Sequence, residues 1–346
     1  YGPGARSEEA LNAARAAVAR TLGCKSRELY FTSCGSESNN LALLGAVQTR
    51  TFGKGIVVSG FEHPSVQRPL ERLAAQGYNV TVVKPQADGT LDINKMLDAV
   101  DKNTILVACM MVNNEIGTRN DVERLAAEVK RRNSRTIVHV DAVQAWMRVP
   151  IKLDNIDTLS VSGHKIHGPK GSGFLYIDEK VKIRPLILGG GQQNGMRSGT
   201  DNVPGIAGLA KSAEIVYKHF DEQTAQMRAC KHRLIEGLRE LDDVVIHGMP
   251  EEEGAPQIVN ASFLNVRSEV LLHTMEDRQI YVSAGSACSS HKRAGSPTLT
   301  AIGASKAEME SAVRFSFSEF TTLEQIDYTL DTLREVLPML RRFTRK

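Results

Sequence analysis

The sequence predicts an α/β protein: a large domain on a mostly parallel seven-stranded sheet, then a smaller α+β domain. Three observations predict it. Seven short, β-rich apolar runs recur in the first half of the chain, helical stretches separate several of them, and the pattern changes after Thr200. Short apolar runs alternating with helices argue for a parallel sheet buried on both faces.

The chain opens on an amphipathic helix, Ser7 to Thr21, with Ser7 as a plausible N-cap and Glu8 and Glu9 suited to its first turn. The seven strands are Glu28–Thr32, Gly55–Ser59, Asn79–Lys84, Thr104–Val112, Thr136–Val140, Asp157–Val161 and Gly173–Ile177. Helical patterns cover Val66–Gln76, Ile93–Val100 and Asp121–Arg132 between them. After Thr200 a long helical stretch, about Val203 to Leu241, leads to strands at Val244–His247, Ile258–Leu264, Ile280–Ala284 and Ala312–Phe317, and Glu324 to Arg342 closes the chain as a helix. This divides the protein into residues 1–220 and 221–346. The Gly-rich stretch Gly189–Gly195 reads as a functional loop.

Bulk properties narrow the function. At 346 residues the length suits two domains, and 41% hydrophobic with 24% charged residues is ordinary for a soluble globular protein. A net charge of +3 implies neither a nucleic acid nor a membrane surface as partner. No apolar run approaches the roughly 18 residues that span a bilayer, and no signal-peptide pattern opens the chain. The five cysteines, Cys24, Cys34, Cys109, Cys230 and Cys288, form no CxxC pair and lack the spacing of a zinc site, so no metal is expected. Their odd number and low density suit a reducing, cytoplasmic compartment.

In an open α/β sheet, ligands sit beyond the carboxyl ends of the strands. Five polar clusters follow strands here: Ser33–Asn40, Glu62-His63, Asn113-Asn114-Glu115, Asp141 and Ser162–Lys165. Lys165 just past one strand and Asp141 at the end of the previous one are the groups a pyridoxal phosphate (PLP) enzyme needs. The lysine amine forms a Schiff base with the cofactor, and the acid holds its pyridine nitrogen protonated. Most lysines are merely solvated charges, and Asp141 alone could simply cap the next helix. Gln144 and Asn114 could each bond the cofactor's phenolic oxygen. Ser36, where a Gly/Ser turn enters a helix, suits a phosphate on exposed backbone N–H groups, although such a turn is often only a turn. Ser162 and His164 could add donors to the same phosphate. His63, at the binding edge, could stack on the ring and shuttle protons, although a lone histidine is more often structural.

Two residues lie in the second half. Cys288, in Gly285-Ser286-Ala287-Cys288-Ser289-Ser290, has Lys292 and Arg293 close in sequence, which would raise its thiolate fraction; a buried structural cysteine is the ordinary alternative. Arg314 places one charge in the apolar strand Val313–Phe317 and needs a partner, either a structural carboxylate or that of an amino-acid substrate. The first strand–helix turn lacks GxGxxG, which argues against a nicotinamide cofactor.

Taken together, Phe31-Thr32-Ser33…Glu37-Ser38-Asn39-Asn40, Glu62-His63, Asn113–Thr118, Asp141-Ala142-Val143-Gln144, Ser162-Gly163-His164-Lys165, Arg197-Ser198-Gly199-Thr200 and Gly285-Ser286-Ala287-Cys288 resemble the cysteine desulfurases. These are PLP enzymes of the class V aminotransferase superfamily, fold type I, and the resemblance covers essentially the whole chain. It implies that Lys165 carries PLP, Asp141 pairs with the ring nitrogen, His63 stacks on the ring, and Asn114 and Gln144 contact cofactor or substrate. It further implies that Ser36, Ser162 and His164 bind the phosphate, that Thr200 reaches the phosphate of the other subunit of a homodimer, and that Arg314 takes the substrate carboxylate. Cys288 would attack the sulfur of the bound cysteine, leaving a persulfide and releasing alanine. The acceptor of that sulfur would be an iron–sulfur scaffold or a tRNA-thiolation enzyme. A selenocysteine lyase and a class V transaminase are the alternatives. The family has Gly and Thr where this chain has Cys34 and Ser36; serine keeps the hydroxyl, and Cys34 would be a second thiol near the cofactor. Ser318-Glu319 stands where the family often has Gly-Arg. The family's first strand, with its Asn-Ala-Ala-Thr-Thr segment, does not precede Tyr1, so a longer native chain is expected.

Overall fold

Burial on both faces explains why most strands of the first half lack polar alternation. The computed structural model describes residues 2–284 and 296–344. The strands are β1 (Leu29–Thr32), β2 (Gly55–Ser59), β3 (Asn79–Val83), β4 (Thr104–Met110), β5 (Ile137–Asp141), β6 (Thr158–Ser162) and β7 (Gly173–Ile177), and every residue of β4 to β7 is buried. They form one sheet in the order β1-β7-β6-β5-β4-β2-β3. Pairs β2–β3, β2–β4, β4–β5 and β5–β6 are parallel, whereas β7 is antiparallel to both β6 and β1. The remaining six strands therefore share one direction, and their carboxyl ends share one edge.

The helices of this half are α1 (Gly2–Leu22), α2 (Gly35–Val47), α3 (Pro64–Ala75), α4 (Ile93–Asp98), α5 (Val122–Arg132) and α6 (Val203–Lys218). Helix α2 packs across β4 to β7 and against α3. Leu41, Leu43, Ile56, Leu70, Leu73, Ile105 and Leu106 form the apolar core there. Trp146 meets Phe174 edge to face at 5.0 Å, the geometry that ring quadrupoles favour.

Chain contacts divide the protein into two units. The first holds residues 1–83, 92–112 and 120–220; the second holds 84–91, 113–119 and 221–346. Two short segments from the first half of the sequence thus belong to the second unit. That unit contains α7 (Phe220–Arg239) from its second residue on, β8 (Val244–His247), β9 (Ile258–Phe263), α8 (Ser268–Asp277), β10 (Ser283–Ala284), α9 (Pro297–Ala301), α10 (Lys306–Ser311), β11 (Ala312–Ser316) and α11 (Leu323–Thr344). Its four-stranded sheet, in the order β10-β11-β9-β8, is antiparallel throughout. Among the described residues, no helix is long and apolar enough to cross a membrane.

Three elements differ from the sequence reading. The first helix begins at Gly2, so Ser7 lies inside it and does not cap it. The expected long helix breaks at His219, whose backbone leaves the helical region at φ −114°, ψ 21°. This break falls at the junction of the two units, where apolar periodicity alone carries no stop signal. The strand expected from Ile280 is formed only by Ser283 and Ala284, which pair with Arg314 and Val313.

Gly237 shows how tightly the second unit is built. A Cβ there would stand 2.4 Å from Leu330 Cδ1, and Leu330 is fully buried. Gly→Ala inside a helix ordinarily stabilises by roughly 1 kcal/mol. Here overpacking should reverse the sign, so Gly237→Ala should destabilise by about 1–3 kcal/mol. Adding Leu330→Ala should produce a favourable coupling in a denaturation double-mutant cycle; strict additivity would refute the contact.

Candidate active site

The parallel sheet brings four of the five polar clusters to one edge, all in the first unit: Ser33–Asn40 after β1, Glu62-His63 after β2, Asp141 at the end of β5, and Ser162–Lys165 after β6. The fifth, Asn113-Asn114-Glu115, belongs to the second unit.

Asp141 is 4% exposed. Its Oδ1 accepts from Val143 N at 2.9 Å and its Oδ2 from Asn39 Nδ2 at 2.8 Å. Burial leaves its pKa raised; the Val143 and Asn39 hydrogen bonds and the positive charge of Lys165 oppose that rise. The Lys165 charge therefore reaches Asp141. Lys165 stands half-buried in a 3₁₀ turn, Gly163–Ile166, whose carbonyl at Lys165 accepts from Arg148 Nη2 at 3.0 Å. The turn ends on His167 at φ 61°, a left-handed conformation seldom adopted by non-glycine residues.

His63 caps α3: its Nδ1 accepts from Ser65 N at 3.1 Å and lies 2.7 Å from Ser65 Oγ. Its neighbour Glu62 is a second acid of a different kind. Its Oε1 accepts from Met110 N at 2.7 Å and from the Ser59 hydroxyl. Its Oε2 is buried without a hydrogen-bond partner among the described residues. Burial, with the Asp141 charge adding to it, pushes its pKa up to about 8. At neutral pH, Glu62 is therefore mostly the uncharged acid.

The start of α2 is shaped for an anion. Its N-cap, Cys34, makes no side-chain cap, which leaves the first N–H groups of the helix available. A Cβ on Gly35 would fall 2.5 Å from Val143 Cγ2 and 3.5 Å from Ser162 Cβ, so only glycine lets the helix start approach β6 this closely. Ser162 Oγ is 2.9 Å from His164 Nδ1. Burial, then the charges of Lys165 and Lys170, lower the His164 pKa and keep it a neutral donor or acceptor. Ser36 is exposed at this helix start. Glu37 accepts from Ser33 N at 2.8 Å and pairs with Arg197 at 2.7 Å. Those bonds outweigh its burial and lower its pKa. Gln144 is half-buried just past Asp141, and Thr200 is exposed.

In the second unit, Arg314 donates from Nη1 to the Asn114 carbonyl at 2.8 Å and from Nη2 to Ser283 Oγ at 3.1 Å. Its Nε is buried without a hydrogen-bond partner among the described residues. Cys288 lies outside the described residues.

Sequence reasoning assigned no role to Glu62, Asn39 or His139. The signal for His139 was present, since it is the one polar residue within the apolar run Ile137–Val140.

A helix start for an anion, a buried carboxylate for a basic ring nitrogen and a lysine within electrostatic reach of it together fit PLP. The aminotransferase class-V family model matches residues 1–329. The chain belongs to the class-V aminotransferase family. Among class-V relatives, the cysteine desulfurase IscS of Salmonella paratyphi C (strain RKS4594) is 39% identical over 343 residues, 98% of this chain and 84% of its own. A solved NifS-like protein superposes with a TM-score of 0.92 at 36% identity, covering 98% of this chain and 90% of that one. The apo structure of a cysteine desulfurase from Thermococcus onnurineus NA1 gives a TM-score of 0.87 at 26% identity, covering 97% and 85%. The family is PLP-dependent, and the seven-stranded sheet is that of fold type I.

The Glu62 acid makes a testable contribution to stability. Its folded pKa, about 8, lies above the ordinary glutamate value of 4.5, so the folded state binds the extra proton between those values. Stability from this group is present below about pH 4.5 and is lost as pH rises through 8. Urea denaturation of the cofactor-free protein should show Glu62→Gln gaining on wild type by a few kcal/mol between pH 5 and 9. Parallel pH profiles for the two proteins would exclude a buried, protonated Glu62.

Proposed function

We propose that this chain is a PLP-dependent cysteine desulfurase that removes sulfur from L-cysteine, releases L-alanine and carries the sulfur on Cys288 as a persulfide. The observation that carries this reading is Asp141, buried at a strand end, bonded by two N–H donors and within the field of Lys165. When bound, PLP supplies an electron-withdrawing ring that stabilises negative charge developing on the substrate.

The chain's own residues then have distinct tasks. Lys165 provides the amine that carries the cofactor. Asp141 accepts a hydrogen bond from the ring nitrogen. The N–H groups at the start of α2, with Ser36, Ser162 and His164, hold the phosphate, and Thr200 reaches the phosphate bound by a second copy in a homodimer. Gln144 and Asn114 contact cofactor or substrate. His63 stacks on the ring; Ser65 occupies its Nδ1, so Nε2 is the nitrogen left to move a proton. Arg314 takes the substrate carboxylate. Its described partners are a carbonyl and a hydroxyl, neither of which neutralises its charge, and a guanidinium is suited to a carboxylate.

Cys288 bonds to the substrate sulfur as the carbon–sulfur bond breaks. The electron pair of that bond stays with the carbon, which takes a proton and becomes the methyl group of alanine. No outside oxidant is needed, since L-cysteine and the Cys288 thiol together give alanine and the persulfide. The sulfur then passes to an acceptor, an iron–sulfur scaffold protein or a tRNA-thiolation enzyme, in the cytoplasm.

Brief incubation with L-cysteine without reductant should add one sulfur to the peptide containing Cys288 and form alanine. Cys288→Ala should keep the cofactor's visible absorbance but lose sulfide release. Lys165→Ala should yield no borohydride-reducible PLP adduct. Unmodified Cys288 with no alanine formed would favour a class V transaminase, and a selenocysteine lyase would instead prefer the selenium substrate in comparative rates.

A further inference from the structure

One buried amide bonds both Asp141 and Ser65, the hydrogen-bond partner of His63. Asn39 is fully buried. Its two Nδ2 protons go to Asp141 Oδ2 at 2.8 Å and to Ser65 Oγ at 2.9 Å. Its Oδ1 lies 3.0 Å from His139 Nε2, and His139 Nδ1 lies 2.9 Å from Thr158 Oγ1. All of these residues belong to the first unit.

The directions of these bonds follow from chemistry. A carboxylate accepts, so the NH₂ side of Asn39 must face Asp141. The Asn39 carbonyl then faces His139, whose Nε2 must carry a proton to donate. Burial pushes the His139 pKa down to about 3, so the ring is neutral with its single proton on Nε2. Its Nδ1 is left to accept from the Thr158 hydroxyl. On the other branch, Ser65 Oγ accepts a hydrogen bond from Asn39, which turns its own hydroxyl proton toward His63 Nδ1. The groups acting on Asp141 are thus Val143 N–H and Asn39 by hydrogen bond, Lys165 by attraction, the facing His63 ring with its Nδ1 accepting from Ser65, and Glu62 as a neutral neighbour while protonated.

We infer that Asn39, oriented by His139, is a positioning residue that holds Asp141 as the carboxylate and thereby keeps the ring nitrogen of PLP protonated. This rests on the reading that Asp141 meets the ring nitrogen. Without the Asn39 donor the carboxylate is less well stabilised, and the shared proton moves from the ring toward Asp141. A hydrogen bond to a charged group is strong enough for the ratio of the two proton positions to change about tenfold or more.

The test is the ¹⁵N chemical shift of the ring nitrogen in protein loaded with [¹⁵N]PLP, a readout that does not depend on turnover. Wild type should give a pyridinium-like resonance. Asn39→Ala and His139→Leu should each move it toward the neutral-pyridine position. His139→Gln, which keeps an N–H donor near the place of Nε2, should stay close to wild type. An unchanged resonance in Asn39→Ala overturns the inference, and His139→Leu decides in the same way if Asn39→Ala does not fold. A neutral ring nitrogen already in wild type overturns the Asp141 reading itself, and this inference with it.

Discussion

A carboxylate at the end of a strand buried on both faces must find hydrogen-bond donors or lose its charge. Asp141 finds them in the backbone N–H of Val143 and the side chain of Asn39, and the charge of Lys165 supports it. Glu62, at the same edge, has an oxygen with no partner among the described residues, and burial drives it toward the neutral acid. Burial raises the pKa of both acids, but Asp141 has a donor on each oxygen whereas Glu62 has donors on one only.

The sheet makes this possible. Parallel strands send their carboxyl ends to one edge, so residues far apart in sequence meet without any single long loop. The start of α2 adds its N–H groups at that edge, and Gly35 lets the helix approach Ser162 and Val143. In the second unit the antiparallel sheet does a different job. It fixes Arg314 opposite Asn260 on β9 and Ser283 on β10, with both Nη atoms engaged by neutral acceptors. Glu115 in the same unit accepts from the hydroxyls of Ser296 and Thr298, tying segment 113–119 to the start of α9.

Much of the architecture was legible because buried strands announce themselves. β4 and β7 are continuous apolar runs, and the Asp121 N-cap marks the start of α5. The helix break at His219 was not legible, since the apolar periodicity continues on both sides of it. The membership of residues 84–91 and 113–119 in the second unit was hidden for a related reason: a short segment's neighbours are set by distant chain.

From the sequence alone come the strand–helix alternation, the lysine and acid at successive strand ends, the thiol in a small-residue segment and the family motifs that join them. Each is a local property of residue type and spacing. Tertiary structure alone decided which groups are charged and which way each hydrogen bond runs. The Glu62 and Asp141 side chains differ by one methylene, yet burial raises the pKa of both and the donors that oppose it come from residues 39, 59, 110 and 143. Solvent exclusion makes those few contacts decisive, because in a buried site an unmade hydrogen bond cannot be replaced by water.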